Sequence, residues 1–341
     1  MPHERQRRRT RDELAEEPAP APAPAGPAAT LQALQRGAGN HAVTRALARQ
    51  PVVEDAGERA VADELQSSPD TLFGERIAIT DDLLSLLLGR GEPSVKSKHK
   101  DASFDEYTGD YSGAGASPDD VKQGALGDCY LLAALAAVAR ANPKAIEDMI
   151  SDKGDGTYDV TIYVDTAWFG KKLEKRVINV KPTFPSKDGK PVYAKQGGAG
   201  AGGPRLWAML IEKAYAIHKG GYDDIEGGYG GPAMEAITGK VSTVVKTSSK
   251  TEEEIADLVD AAQQAGQAIT AGADWALLKS TKAEAAKDGI PSLNHEYAVI
   301  KVDKAAKTID LQNPWGFSHV KDLPLAKFKK WFSDLSFNPT K

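Results

Sequence analysis

Cysteine occurs once in the 341 residues, at position 129. That excludes an internal disulfide framework and any multi-cysteine zinc site, so the fold must be held by a hydrophobic core. An apolar content of 41% and a charged content of 27% suit such a core, and the length suits about two domains. The cysteine also opens the longest apolar run, since Leu131–Ala139 holds no polar residue. That run is about half of the roughly 18 residues needed to span a bilayer. It reads as a helix buried on all sides, with Pro143 just beyond its end.

The net charge of −5 gives no basic surface for nucleic acid. The basic start is followed by Pro and Ala without an apolar h-region, so the expectation is cytoplasmic synthesis with no Sec signal peptide and, if exported, a different route. Residues 1–30, with the Pro–Ala alternation of Pro18–Ala25, read as disordered and polyproline-like. Leu31–Gln50 reads as a short amphipathic helix pair, or as a segment that orders on binding. A weak helix is expected at Asp81–Leu88. This gives a leader at 1–95 and a folded body beginning near 95–105.

The body divides at a glycine cluster, Gly227, Gly228, Gly230 and Gly231, which ends at Pro232 and reads as a hinge. Before it lie the cysteine helix, strands at Tyr158–Val164, Arg176–Val180 and Pro191–Ala194, and an amphipathic helix over 206–221. After it come a helix at Glu252–Ala265, strands at Ala268–Ala271, Glu296–Val302 and Thr308–Gln312, and a closing helix at Leu325–Phe332. A helix-first lobe (96–230) followed by a β-rich lobe (231–341) is an α+β arrangement with a cleft between the halves.

A nucleophilic thiol must be deprotonated, and a helix N-terminus with a nearby imidazolium favours that. Cys129 stands at a helix start, with Gly127 and Asp128 as turn and cap; the plain alternative is a small buried hydrophobe. Gln123 could offer a side-chain amide to an oxyanion, or be a solvated loop residue. His295 precedes an alternating strand, where it can face a cleft. His3, His41, His99, His218 and His319 fall in the leader, a Lys-rich stretch, a helix end and a loop. Asn313 closes the next strand and could orient the imidazole, with Trp315 shielding the bond from water. Asn-Pro as a simple turn starter, and Trp315 as core, are the alternatives.

Gln123-Gly124-Ala125-Leu126-Gly127-Asp128-Cys129 resembles the active-cysteine signature of the calpains. The segment 206–240, with Glu212-Lys213-Ala214-Tyr215, resembles their helix-and-hinge region. His295-Glu296-Tyr297-Ala298-Val299 and Gln312-Asn313-Pro314-Trp315-Gly316 resemble their histidine strand and asparagine turn. The four blocks span roughly 105–335 in family order. The resemblance implies a papain-like two-lobe fold and cysteine endopeptidase activity on protein substrates. It also implies nucleophile Cys129, acid/base His295, orienting Asn313 and oxyanion donor Gln123, with Gly127 and Trp315 at the cleft.

Tyr130 stands where the family usually has Trp. The first calcium site of the family core is matched by Asp120 and Glu212, whereas at the second His319 and Ala326 stand where acids are expected. No further domain fits before Lys341, so no cofactor is required by this reading, and calcium enters through Asp120 and Glu212 alone. Leu31…Val43 resembles a motif near the N-termini of proteins encoded beside bacterial contractile injection systems, which implies a delivered effector. A silent calpain-like binding module and a transglutaminase-like thiol acyltransferase are the other readings.

Overall fold

The computed structural model describes residues 92–167, 170–200, 202–273 and 282–341. The expectations for Leu31–Gln50, Asp81–Leu88 and nearly all of the leader lie outside the described residues.

The first half is built around one helix. α1 (Cys129–Ala141) buries every side chain from Tyr130 to Ala139, as its lack of polar residues dictates. It stops at Asn142, whose φ of −154° is extended, because the following Pro143 disfavours the helical region before it; Pro143 itself starts α2 (Pro143–Glu147). Ahead of α1 lies β1 (Ser103–Glu106). After α2, β2 (Ile150–Asp152), β3 (Tyr158–Asp165) and β4 (Leu173–Val180) form an antiparallel meander. β5 (Thr183–Lys187) pairs with β1 and with β6 (Lys190–Pro191).

The strand expected over Pro191–Ala194 ends after Pro191. Its backbone turns instead to the loop before Cys129: Ala125 N–H donates to the Val192 carbonyl and Lys195 N–H to that of Lys122, both at 2.8 Å. A small hairpin, β7 (Ala199–Gly200) and β8 (Gly203–Pro204), leads into α3 (Trp207–Lys219). α3 was expected to be amphipathic, yet Trp207–Ile217 are all buried and the stop is Gly220 at φ 111°. The polar residues that suggested a wet face have partners inside. Lys213, 1% exposed, pairs with Glu92 at 2.5 Å and donates to the carbonyls of Lys181 and Thr183.

The glycine cluster is only partly a hinge, because Gly230, Gly231 and Pro232 form the first turn of α4 (Gly230–Thr238). Proline is tolerated there, where its missing N–H would have no intrahelical acceptor. The remaining elements are β9 (Thr243–Lys246), α5 (Glu252–Gln264), β10 (Gln267–Ala273), α6 (Lys282–Lys287), β11 (His295–Asp303), β12 (Thr308–Gln312), β13 (Val320–Pro324), α7 (Leu325–Trp331) and β14 (Phe332–Pro339). Thr251 and Glu254 close a capping box on α5. The strands form one antiparallel sheet in the order β13-β12-β11-β10-β14-β9.

Strand alternation gives this sheet two apolar faces. Ile269, Ala271, Tyr297, Leu311 and Leu335 face α5 and α7 in one core. Ala268 and Ala298 join α1, α3 and α4 in the other. Small side chains at those two positions let α1 sit close to β10 and β11. The molecule is therefore a mixed α and β fold in which the cysteine helix lies directly on the histidine strand. Among the described residues no helix is long and apolar enough to cross a membrane.

Candidate active site

Cys129 is the first residue of α1 and is half-buried. Asp128 starts the helix through its carbonyl, which accepts from Leu131 and Leu132, but its side chain makes no cap. That departs from the expectation, and the reason is that the carboxyl turns inward to 0% exposure. One oxygen takes the Gln123 side-chain N–H at 3.3 Å. The other has no donor except a protonated Glu212 beside it. Burial first, then their mutual repulsion, raises the Glu212 carboxyl, and burial raises that of Asp128, so the pair holds a proton.

Burial also pushes the Cys129 thiol up to about 11. The backbone N–H groups of Glu296 and Tyr130 favour the thiolate, whereas the Asp128 and Glu296 carboxylates oppose it. His295 is not among the groups that act most strongly on the sulfur. In this arrangement the sulfur keeps its proton.

His295, 7% exposed, opens β11, and its Nε2 lies 2.9 Å from Asn313 Oδ1. The same Asn313 atom accepts the Trp315 N–H at 3.1 Å. An atom that takes a backbone N–H must be the amide oxygen, so Nε2 carries a hydrogen and Nδ1 is the basic atom. The ring is clasped by Trp315 at 5.0 Å and, edge-on, by Tyr297 at 4.9 Å between centroids. Burial lowers the His295 pKa from 6.5, and the Asn313 bond partly restores it. Asn313 is 0% exposed, and its own N–H donates to His319 Nδ1 at 3.1 Å.

Gln123 lies at the entrance to α1 with both amide hydrogens engaged, one on the Leu126 carbonyl at 2.7 Å and one on Asp128 at 3.3 Å. Its Oε1 has no partner. To serve an oxyanion the amide would have to release one of those acceptors. Its loop must carry glycine at 124, where a Cβ would lie 1.9 Å from the Tyr193 carbonyl oxygen. Gly127 donates its N–H to Glu226 at 3.2 Å, and Glu226 pairs with Lys96.

Asp120 and Glu212 are not brought together as a cation site. Asp120 accepts from Ser117, Gly198 and the Trp207 indole, with Arg205 at 3.7 Å. Glu212 takes the Ala194 N–H and shares a proton with Asp128. Calcium takes a convergent set of free oxygens, and the oxygens of these two residues are taken by separate protein donors, so the donor set does not fit it. No group of three or more His, Cys, Asp or Glu suited to a metal occurs among the described residues. A cavity of about 280 Å³ lined by Tyr163, Arg176, His218 and Glu235 lies elsewhere and touches neither Cys129 nor His295.

Three residues of the site escaped sequence reasoning: Asp128 as a buried acid, His319 as the brace behind Asn313, and Glu296 as a buried carboxyl next to the histidine. Only Glu296 carried a signal, an acid on the first turn-in of an otherwise apolar strand.

Residues 100–333 match the family described as calpain family cysteine protease. Calpain-9 of Mus musculus is 31% identical over 210 residues, covering 59% of this chain and 29% of that protein. The catalytic subunit of calpain-2 of Gallus gallus is 26% identical over 215 residues, covering 59% and 28%. The calpain-1 catalytic subunit of Mus musculus is 28% identical over 211 residues, again covering 59% and 28%. The chain thus spans less than a third of the length of these curated relatives. With a family match over that many residues, and a cysteine helix lying on a histidine–asparagine strand pair, the chain belongs to the calpain family of cysteine proteases.

Proposed function

We propose that the chain is a cysteine endopeptidase acting on protein substrates through Cys129, His295 and Asn313. The observation that carries this reading is the 2.9 Å bond from His295 Nε2 to Asn313, on the strand against which the helix begun by Cys129 packs. Nδ1 takes the thiol proton as sulfur attacks the substrate carbonyl. The C–N bond then breaks, and the amine leaves with the proton from Nδ1. Water, activated by the same nitrogen, hydrolyses the thioester and returns the thiol. The Cys129 N–H, with Gln123 once it lets go of Asp128 or Leu126, holds the oxyanion. The lowered imidazole and raised thiol favour the neutral pair in this arrangement, and catalytic hydrogen bonds of this kind tighten when substrate binds.

In this reading lobe 1 (96–230) carries nucleophile and oxyanion donor, and lobe 2 (231–341) carries His295 and Asn313. A leader at 1–95 that addresses the chain to a bacterial injection machine, as a delivered effector, rests on the Leu31–Val43 resemblance. The test is cleavage of casein and of a fluorogenic peptide by the full chain and by Cys129→Ala, each with calcium and with EGTA. Cleavage lost in Cys129→Ala supports the protease. Amine incorporation without cleavage would move the chain to the thiol acyltransferases, and neither activity would leave a binding module.

A further inference from the structure

Glu296 is 6% exposed, yet its side chain is not accounted for by the fold. Alternation along β11 places it on the same face of the sheet as Ala298, beneath α1 and α4. Directly opposite it on β10 is Gly272, and opposite Gly272 on β14 is Asp334. The central residue of this row has no side chain. A Cβ on Gly272 would meet Asp334 Oδ1 at 3.2 Å and Glu296 Oε2 at 3.4 Å, so two carboxyls look at each other across a bare backbone.

Two buried polar atoms at this place lack partners. Neither Glu296 Oε1 nor Thr270 Oγ1 reaches hydrogen-bonding geometry, and Thr270 is 0% exposed. Both point to one spot beside the first residue of α4: a Cβ on Gly230 would lie 2.1 Å from Thr270 Oγ1 and 2.3 Å from Glu296 Oε1. A buried polar atom left unpaired is costly; the Thr270 hydroxyl brings a proton of its own, but two carboxyls facing one gap call for a further donor. Burial pushes the Glu296 carboxyl up to about 8; the nearby Thr270 hydroxyl and Gly230 N–H pull it back, and the Asp334 charge adds to the rise. A cation brought here would reverse that rise.

The outer end of the row already holds one. Lys246, 65% exposed, places its ammonium 3.2 Å from Asp334 Oδ2, the oxygen turned away from Glu296. The inner oxygen, Oδ1, faces Gly272. The position is also set by the chemistry next to it. Cys129 starts the helix that packs on β11, and the Glu296 backbone N–H is among the groups that favour its thiolate, so the row lies on the strand next to that sulfur.

We infer that Glu296 and Asp334, facing each other over Gly272 with Thr270 beside them, form a subsite for the cationic side chain of a lysine or arginine flanking the scissile bond. This rests on the protease reading above and adds a substrate class to it. The peptide would run along the cleft at the N-terminal end of α4, with the cation's N–H groups meeting Glu296 Oε2 and Asp334 Oδ1, the two oxygens that face Gly272.

The experiment compares quenched fluorescent peptides that differ only in arginine or citrulline, its neutral isostere, at each of three residues on either side of the cut. The full chain and Glu296→Gln are assayed, and the readout is the ratio of kcat/KM, because the Glu296 carboxylate also acts on the thiol. A preference for arginine of about tenfold or more is expected at one position, as for a charge-assisted hydrogen bond, and it collapses in Glu296→Gln and weakens in Asp334→Asn. Equal rates for arginine and citrulline at every position overturn the inference, as does a preference that survives Glu296→Gln. If no peptide is cut, the protease reading falls separately, and binding to Cys129→Ala by fluorescence anisotropy decides the subsite. Tighter binding of the arginine peptide, lost on adding Glu296→Gln, sustains it; equal binding overturns it.

Discussion

The backbone N–H of Gln123 donates to the Pro314 carbonyl at 2.8 Å, tying the loop that enters the cysteine helix to the turn that leaves the asparagine strand. Gln312 adds a second tie, its side-chain N–H reaching the Pro118 carbonyl at 2.7 Å. The first joins main chain to main chain and the second side chain to main chain, so the spacing of Cys129 and Asn313 is fixed by hydrogen bonds as well as by packing.

Gly124→Ala should displace the entering loop, because the new methyl would lie 1.9 Å from a carbonyl oxygen that cannot swing away. Gly127→Ala would meet only the flexible end of Glu226, at 3.2 Å. Thermal melting and kcat/KM are to be measured for both. The first variant is expected to lose about a hundredfold in kcat/KM if a one-ångström misplacement acts as it does elsewhere, the second less than about threefold on the same scale. Equal losses would contradict the close approach.

Asn313→Ala removes the acceptor that fixes the imidazole. A hydrogen bond to a group that becomes charged is worth about 1.5–3 kcal/mol, or roughly 10–150-fold in kcat, with KM little changed. His319→Ala should show a smaller loss in the same direction, since it only braces Asn313. A full effect on KM instead of kcat would sink the orienting role.

The thiol and imidazole titrations have opposite signs. The Cys129 pKa is raised, so thiolate is the minor form below about 11, and alkylation by iodoacetamide should speed up about tenfold per pH unit above neutrality. The His295 pKa is lowered from 6.5, so the imidazole stays an unprotonated base until pH falls through that lower value. The acid limb of kcat/KM should therefore lie below 6.5. A rate of alkylation already flat at pH 7 would show that a thiolate–imidazolium pair is present at rest.

Asp120 and Glu212 have their oxygens committed to protein donors. Proteolysis in calcium and in EGTA should therefore differ by less than about twofold, there being no free oxygen set of the kind calcium takes. Activity abolished by EGTA and restored by calcium would require both side chains to rearrange.

Where local chemistry dictates structure, the sequence was readable. The strand expected at Thr308–Gln312 has those bounds, after a turn in which Lys307 takes φ 54°, and the helix expected at Glu252–Ala265 runs over Glu252–Gln264, started by the Thr251–Glu254 capping box. Cys129, His295 and Asn313 were singled out because each stands at the end of an element with a recognisable motif. β14 was missed: Phe332–Pro339 becomes a strand through pairing with β10 and β9, partners far off in sequence. α3 was misjudged because Glu212 and Lys213 look like a solvent face until their buried partners Asp128 and Glu92 are known. Gln123 lies at the entrance to α1, but the inward turn of Asp128 that captures its amide depends on a helix some eighty positions later.

β14 lies between β10 and β9, so a strand later in the chain fills a gap left by two earlier ones. As the chain leaves the ribosome, the cysteine helix and the histidine strand emerge first, while β10 waits with one edge open until residues 332–339 arrive. Such non-local pairing is slow to form, and here it sits next to the strand that carries His295. The order of synthesis thus acts as a timer: this edge of the sheet beneath the histidine closes only once β14 has been made, after both α1 and β11.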